Sequence, residues 1–167
     1  MAGLPMLEFH PRDLKMKIPC TGLFVGPTLS GKTTLILQVV DNADELFDPP
    51  PKTIVYAYGQ FDEGIHEFRK RGVMIVAGAP SDEFLQKIRK PALLILDDLM
   101  SNVKNTYLDD LYTKKAHHMN MAVFFVLQNM FDKASRVARM NSHYIFIMRA
   151  PNSALHIQTL GNIFSGF

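Results

Sequence analysis

The segment Gly26-Pro27-Thr28-Leu29-Ser30-Gly31-Lys32-Thr33-Thr34 constrains this chain more than any other. It satisfies G-x-x-x-x-G-K-[ST], with an apolar run, Cys20 to Val25, before it and an amphipathic stretch, Lys32 to Val40, after it. A strand, a glycine-rich turn and a helix in that order make backbone N–H groups converge at a helix N-terminus, where the potential favours phosphate. Lys32 is then expected to bridge the β- and γ-phosphates of ATP or a similar nucleotide. The Thr33 hydroxyl is expected to ligate Mg2+. An ordinary glycine-rich turn with a surface lysine would explain neither flank.

The rest of the chain repeats the same alternation. Apolar runs at Cys20 to Val25, Thr53 to Ala57, Val73 to Ala77, Ala92 to Leu96, Ala122 to Leu127 and His143 to Met148 read as strands. Helices are predicted at Lys32 to Val40, Ile65 to Arg71, Asp82 to Lys90, Tyr107 to His118, Ala134 to Met140 and Ser153 to Ile163. Several strands are apolar throughout, as central strands covered on both faces must be. The predicted fold is therefore a P-loop NTPase, a three-layer α/β/α sandwich around a mostly parallel sheet. Asp48-Pro49-Pro50-Pro51 is expected to break the first helix and lead into the second strand. With 167 residues, 47% of them apolar, one domain spanning 1–167 is expected, with a short lead-in at 1–18.

Two further strand ends carry chemistry. Ala92 to Leu96 runs into Asp97 and Asp98, so the acids should stand at the carboxyl edge of the sheet, beside the phosphate loop. Asp97 is read as the Walker-B acid that holds Mg2+ through its water shell, and Asp98 as the group that polarises the attacking water. Val123 to Leu127 ends in Gln128 and Asn129; Gln128 is read as the sensor of the γ-phosphate, with Asn129 as the alternative.

Other features narrow the class. The single Cys20 forms no internal disulfide and no metal cluster, and it reads as a small buried hydrophobe at a strand start. Lys plus Arg number 18 against 16 Asp plus Glu, so charge neither requires nor excludes a polyanionic partner. Met1 to Pro5 does not begin a signal peptide and no run is long enough to span a membrane, so a soluble, intracellular protein is expected. His117 and His118 lie about 100° apart on a helix and do not chelate one ion together; a cation near the helix C-terminus is the expected role of at least one of them.

The ordered set of Asp97-Asp98, the helix ending Lys114-Lys115-Ala116-His117-His118-Met119-Asn120, Gln128-Asn129, and Ser135-Arg136-Val137-Ala138-Arg139-Met140-Asn141-Ser142-His143-Tyr144 resembles the DNA-packaging ATPases of poxviruses and Maverick-type elements, in the FtsK/HerA branch of ring motors. The resemblance runs from Leu23 to Leu160. It implies a sensor strand between the P-loop and Walker-B strands, and a homo-oligomeric ring that hydrolyses ATP to drive double-stranded DNA. It also implies capsid or portal proteins as partners, and residence in the cytoplasm or nucleus of an infected cell or in the virion. Such a ring needs an arginine presented to the neighbouring subunit's nucleotide. Asn152-Ser153-Ala154-Leu155 offers none near the C-terminus, so Arg136, in the segment after the sensor strand, is favoured over Arg139 and Arg149. Asp98 stands where many relatives in that branch have Glu. A P-loop kinase and a GTPase switch are the alternatives, but no arginine-dense lid separates the later strands and no Asn-Lys-x-Asp signature follows one.

Overall fold

The computed structural model describes residues 14–99, 105–129, 131, 135–150 and 153–164. Three expected features reach beyond them: most of the lead-in, the helix start at Ala134, and Asn152. The described strands are β1 (Met16–Lys17), β2 (Cys20–Val25), β3 (Phe47–Asp48), β4 (Thr53–Tyr58), β5 (Met74–Ala77), β6 (Ala92–Asp97), β7 (Met121–Leu127) and β8 (Tyr144–Ile147). The helices are α1 (Lys32–Asp41), α2 (Ala43–Leu46), α3 (Ile65–Lys70), α4 (Asp82–Lys87), α5 (Asn105–Asp110), α6 (Ala116–His118), α7 (Arg136–Met140) and α8 (Ser153–Phe164), with a π turn over Leu111–Lys115 between α5 and α6.

Six strands form one sheet in the order β5-β4-β6-β7-β2-β8, and every pairing in it is parallel. Parallel neighbours need crossover connections, and helices supply them on both faces. The two faces are legible in the alternation along each strand. Leu23, Val25, Leu94, Leu96, Val123 and Phe125 point to a core closed by Leu85 of α4, Leu108 of α5, Tyr112 of the π turn and Ala138 of α7. Phe24, Leu93, Ile95, Phe124 and Val126 point to a second core closed by Ile36 and Val39 of α1 and Phe68 of α3. The result is the expected three-layer sandwich, with β7 between β2 and β6.

Four details differ from the sequence reading. First, α1 ends at Asp41, ahead of the prolines, because Asn42 caps it: both its backbone N–H and its side-chain Nδ2 donate to Gln38 O. Second, α2 and β3 follow, and β3 pairs with β1, which ties residues of the presumed lead-in to the body; Phe47 is fully buried there. Third, α4 stops at Lys87 rather than Lys90: Ile88 already takes extended backbone, and Lys90, before Pro91, is disfavoured in helical conformation. Fourth, the predicted helix over Tyr107 to His118 contains the π turn. The wider turn lets the adjacent Leu111 and Tyr112 both face the sheet, where the Tyr112 hydroxyl donates to Gly22 O at 2.6 Å.

Candidate active site

The carboxyl ends of β2, β4, β6 and β7 open onto one cavity of about 770 Å³. It is lined by Thr28, Leu29, Gly31, Lys32, Thr33 and Thr34 from the turn and start of α1, Asp97 at the end of β6 and Asp98 after it, and Gln128 and Asn129 after β7. Residues separated by a hundred positions in sequence thus converge because their strands are neighbours in register, with Leu23 opposite Phe125 and Ile95 opposite Phe124.

The loop itself is built tightly. Gly26 N–H donates to Leu127 O at 3.1 Å and continues the ladder by one residue before the chain leaves the sheet. Leu29 and Gly31 then take positive φ, 63° and 90°, so the turn reverses into α1; glycine bears this without strain, while Leu29 bears it with its side chain wholly in solvent. No side chain caps the N-terminus of α1. Lys32 Nζ donates to Gly26 O at 2.5 Å and Pro27 O at 2.8 Å, folding its ammonium over the loop. Burial lowers its pKa, and the charge of Asp97 opposes that shift. Ser30 Oγ is buried within the turn without a hydrogen-bond partner among the described residues. An uncapped helix end, an inward lysine and an orphaned hydroxyl fit a phosphate-bearing ligand.

The acids face the lysine across the cavity. Asp97 is the last residue of β6 and half-buried, whereas Asp98 is exposed and turned by a φ of 52°. The Tyr56 hydroxyl donates to Asp97 Oδ2. Burial raises the Asp97 pKa; the Tyr56 bond and Lys32 pull it down, while Asp98 and Asp62 push it up. A carboxylate crowded by two others beside a lysine fits a cation, so Thr33 and Asp97 suit Mg2+. Asn129 Oδ1 accepts from Phe131 N–H at 3.0 Å, which closes its own turn, and Gln128 stands exposed beside it at the strand end.

Arg136 does not line this cavity. It is exposed at the start of α7, while Arg139 is half-buried with its guanidinium 5.0 Å from the Phe131 ring centroid and Arg149 is exposed after β8. His117 and His118 close α6, with ring centroids 6.0 Å apart and nearly perpendicular. Cys20 is 2% exposed, and burial pushes its thiol up to about 12.

Two contributions escape the sequence reading. The loop after β4 brings Gln60, Phe61 and Asp62 to the cavity wall, and it fits because Gly59 has no side chain: a Cβ there would stand 1.8 Å from Asp98 O. Asp62-Glu63, a few residues beyond the apolar run Thr53 to Ala57, is a second pair of acids after a strand, which was the available signal. The other is Tyr56, a hydroxyl inside an apolar strand that had to find a partner.

No family model matches the sequence, and no curated protein matches it. Among solved structures, a KaiC-like protein from the hyperthermophilic archaeon Pyrococcus horikoshii is similar over 81% of this chain and 75% of that one, with a TM-score of 0.52 and 17% identity. The likeness is one of fold, and it agrees with the three-layer P-loop NTPase architecture. Among the described residues, no helix is long and apolar enough to cross a membrane.

Proposed function

We propose that this chain is a Mg2+-dependent ATPase that works as a subunit of an oligomeric ring and moves double-stranded DNA, as in viral or mobile-element genome packaging. One observation carries the hydrolytic part: Lys32 and Thr33, Asp97 and Asp98, and Gln128 meet around one cavity at the carboxyl edge of the sheet, with β7 between β2 and β6. The DNA-moving part rests on the resemblance of the segments around His117, Gln128 and Arg136, as do a capsid or portal partner and an infected-cell location.

In this reading Lys32 exchanges Gly26 O and Pro27 O for the β- and γ-phosphate oxygens when nucleotide arrives, a swap of neutral acceptors for charged ones. Loop N–H groups and the start of α1 hold the remaining phosphate charge. Thr33 and Asp97 would hold Mg2+, which when bound would supply positive charge to offset that of the phosphates. Asp98 polarises the water that attacks the γ-phosphorus and receives its proton, as the bond from phosphorus to the bridging oxygen breaks and leaves ADP and phosphate. Gln128 orients that water, and Arg136 of a neighbouring copy stabilises the transferring group.

The test is ATP hydrolysis by the purified chain with and without double-stranded DNA, across protein concentrations. Turnover per subunit that rises with both supports the motor. Turnover indifferent to both, with phosphate passing to an added acceptor, would replace it by a P-loop kinase.

A further inference from the structure

We propose that Tyr56 is the positioning residue for Asp97, holding one carboxylate oxygen so that the other is presented to the cation. This rests on the reading of Asp97 as the acid that holds Mg2+. Tyr56 lies in the middle of β4, the strand next to β6, and is 2% exposed. Its ring stacks on Phe68 of α3, with centroids 4.1 Å apart and planes 16° from parallel, so it is fixed from behind. Its hydroxyl donates to Asp97 Oδ2, and among the described residues that is the hydrogen bond in which the Asp97 side chain takes part.

Packing alone does not call for that hydroxyl. A phenylalanine would fill the same place against Phe68, and burying a phenol demands a partner. The partner chosen is the one acid that ends its strand at the cavity. An aspartate at a strand end rotates about two bonds and offers two equivalent oxygens; here Asp98 and Asp62 also repel it. A donor from the neighbouring strand breaks the equivalence and holds Oδ1 as the free acceptor. Outer groups of this kind typically change metal affinity by about 10- to 100-fold.

Tyr56→Phe removes one oxygen and leaves the stacked ring. Binding of a fluorescent ATP analogue is measured in EDTA and across a Mg2+ titration, for wild type, Tyr56→Phe and Asp97→Asn, with thermal denaturation alongside. The proposal expects unchanged affinity in EDTA for Tyr56→Phe and a Mg2+ midpoint raised about tenfold. Its turnover should fall most at limiting Mg2+ and recover as Mg2+ is raised, because the defect lies in cation capture. A Tyr56→Phe midpoint equal to wild type overturns the proposal, whatever happens to thermal stability, provided that Asp97→Asn has lost its Mg2+ response. If Asp97→Asn keeps the wild-type response, the metal assignment itself falls and takes this inference with it. Phe68→Leu, which keeps the hydroxyl but loosens the stack, should move the midpoint the same way by less, and a shift in the opposite direction counts against the proposal.

Discussion

The centre of the sheet and its edges are built differently. β2 and β7 are buried at every position and β6 at all but Asp97, whereas β5 is exposed at both ends and half-buried between them, and β8 is half-buried throughout. Each central strand ends in a group at the cavity: the phosphate loop, the paired acids, or Gln128. The edge strands end in none of these. Site residues thus stand on the strands least able to move, since helices cover both faces and neighbours pair with both sides. Precise placement of charges needs that rigidity. The edge strands carry half-exposed and exposed side chains instead.

Substitutions at the two regions should separate accordingly. The largest expected effect is at the centre: Lys32→Ala should lower ATP turnover by about 10³-fold or more and weaken nucleotide binding, with the fold intact by circular dichroism. A folded variant that turns over like wild type would remove the phosphate-loop assignment. Outside the cavity a different kind of loss is expected. In the proposed ring, Arg136→Ala, on α7, should bind ATP normally and hydrolyse about 10³-fold more slowly, because the proposal gives it a target in the neighbouring subunit. Mixing it with Asp98→Asn should restore part of the activity, measured as phosphate release, since mixed rings contain interfaces with an intact Asp98 facing an intact Arg136. Mixed oligomers that form and recover nothing point instead to Arg139 or Arg149.

Stability should follow the same division. Phe124 of β7 is buried among Phe24, Phe47 and Phe146, and Phe124→Ala should cost about 3–5 kcal/mol in denaturant unfolding. Met74 of β5 is 42% exposed, and Met74→Ala should cost about 0.5 kcal/mol or less. Comparable losses at the two sites would mean that the edge is as constrained as the centre. A pH-dependent effect, absent near neutrality, concerns Cys20 at the start of β2. Its folded pKa of about 12 lies above the ordinary 9.0, so above pH 9 the unfolded chain gives up this proton first and stability falls as pH rises. This contribution approaches about 1.4 kcal/mol per pH unit and should be missing in Cys20→Ala, which keeps the slope due to other buried groups such as Tyr107. A thiol reagent at pH 8 should likewise leave Cys20 unmodified until the chain unfolds.

The same contrast explains which parts of the fold were legible. β2 matched its predicted span in full and β6 and β7 each differed by one residue, because a strand covered on both faces must be apolar without interruption. The edge strand β8 came out shorter than the run His143 to Met148, since side chains facing solvent blur the pattern. The β1–β3 pair of two residues each went unseen: so short a pairing leaves no periodicity, and its partners are brought together only by the chain around them.

Local chemistry written in consecutive residues was fixed by sequence: the glycine-rich turn into α1, the acids after β6, and the amide after β7. Each depends on a strand end and the few residues following it, and neighbouring residues determine those. The order of strands and what crosses between them were decided by tertiary structure. The order brings Asp62 to the cavity wall, makes Gly59 yield space to the backbone at Asp98, and sets the Tyr56 hydroxyl on Asp97. Those contacts span tens of residues and arise because β4 lies beside β6, a neighbour relation that no local pattern of side chains encodes.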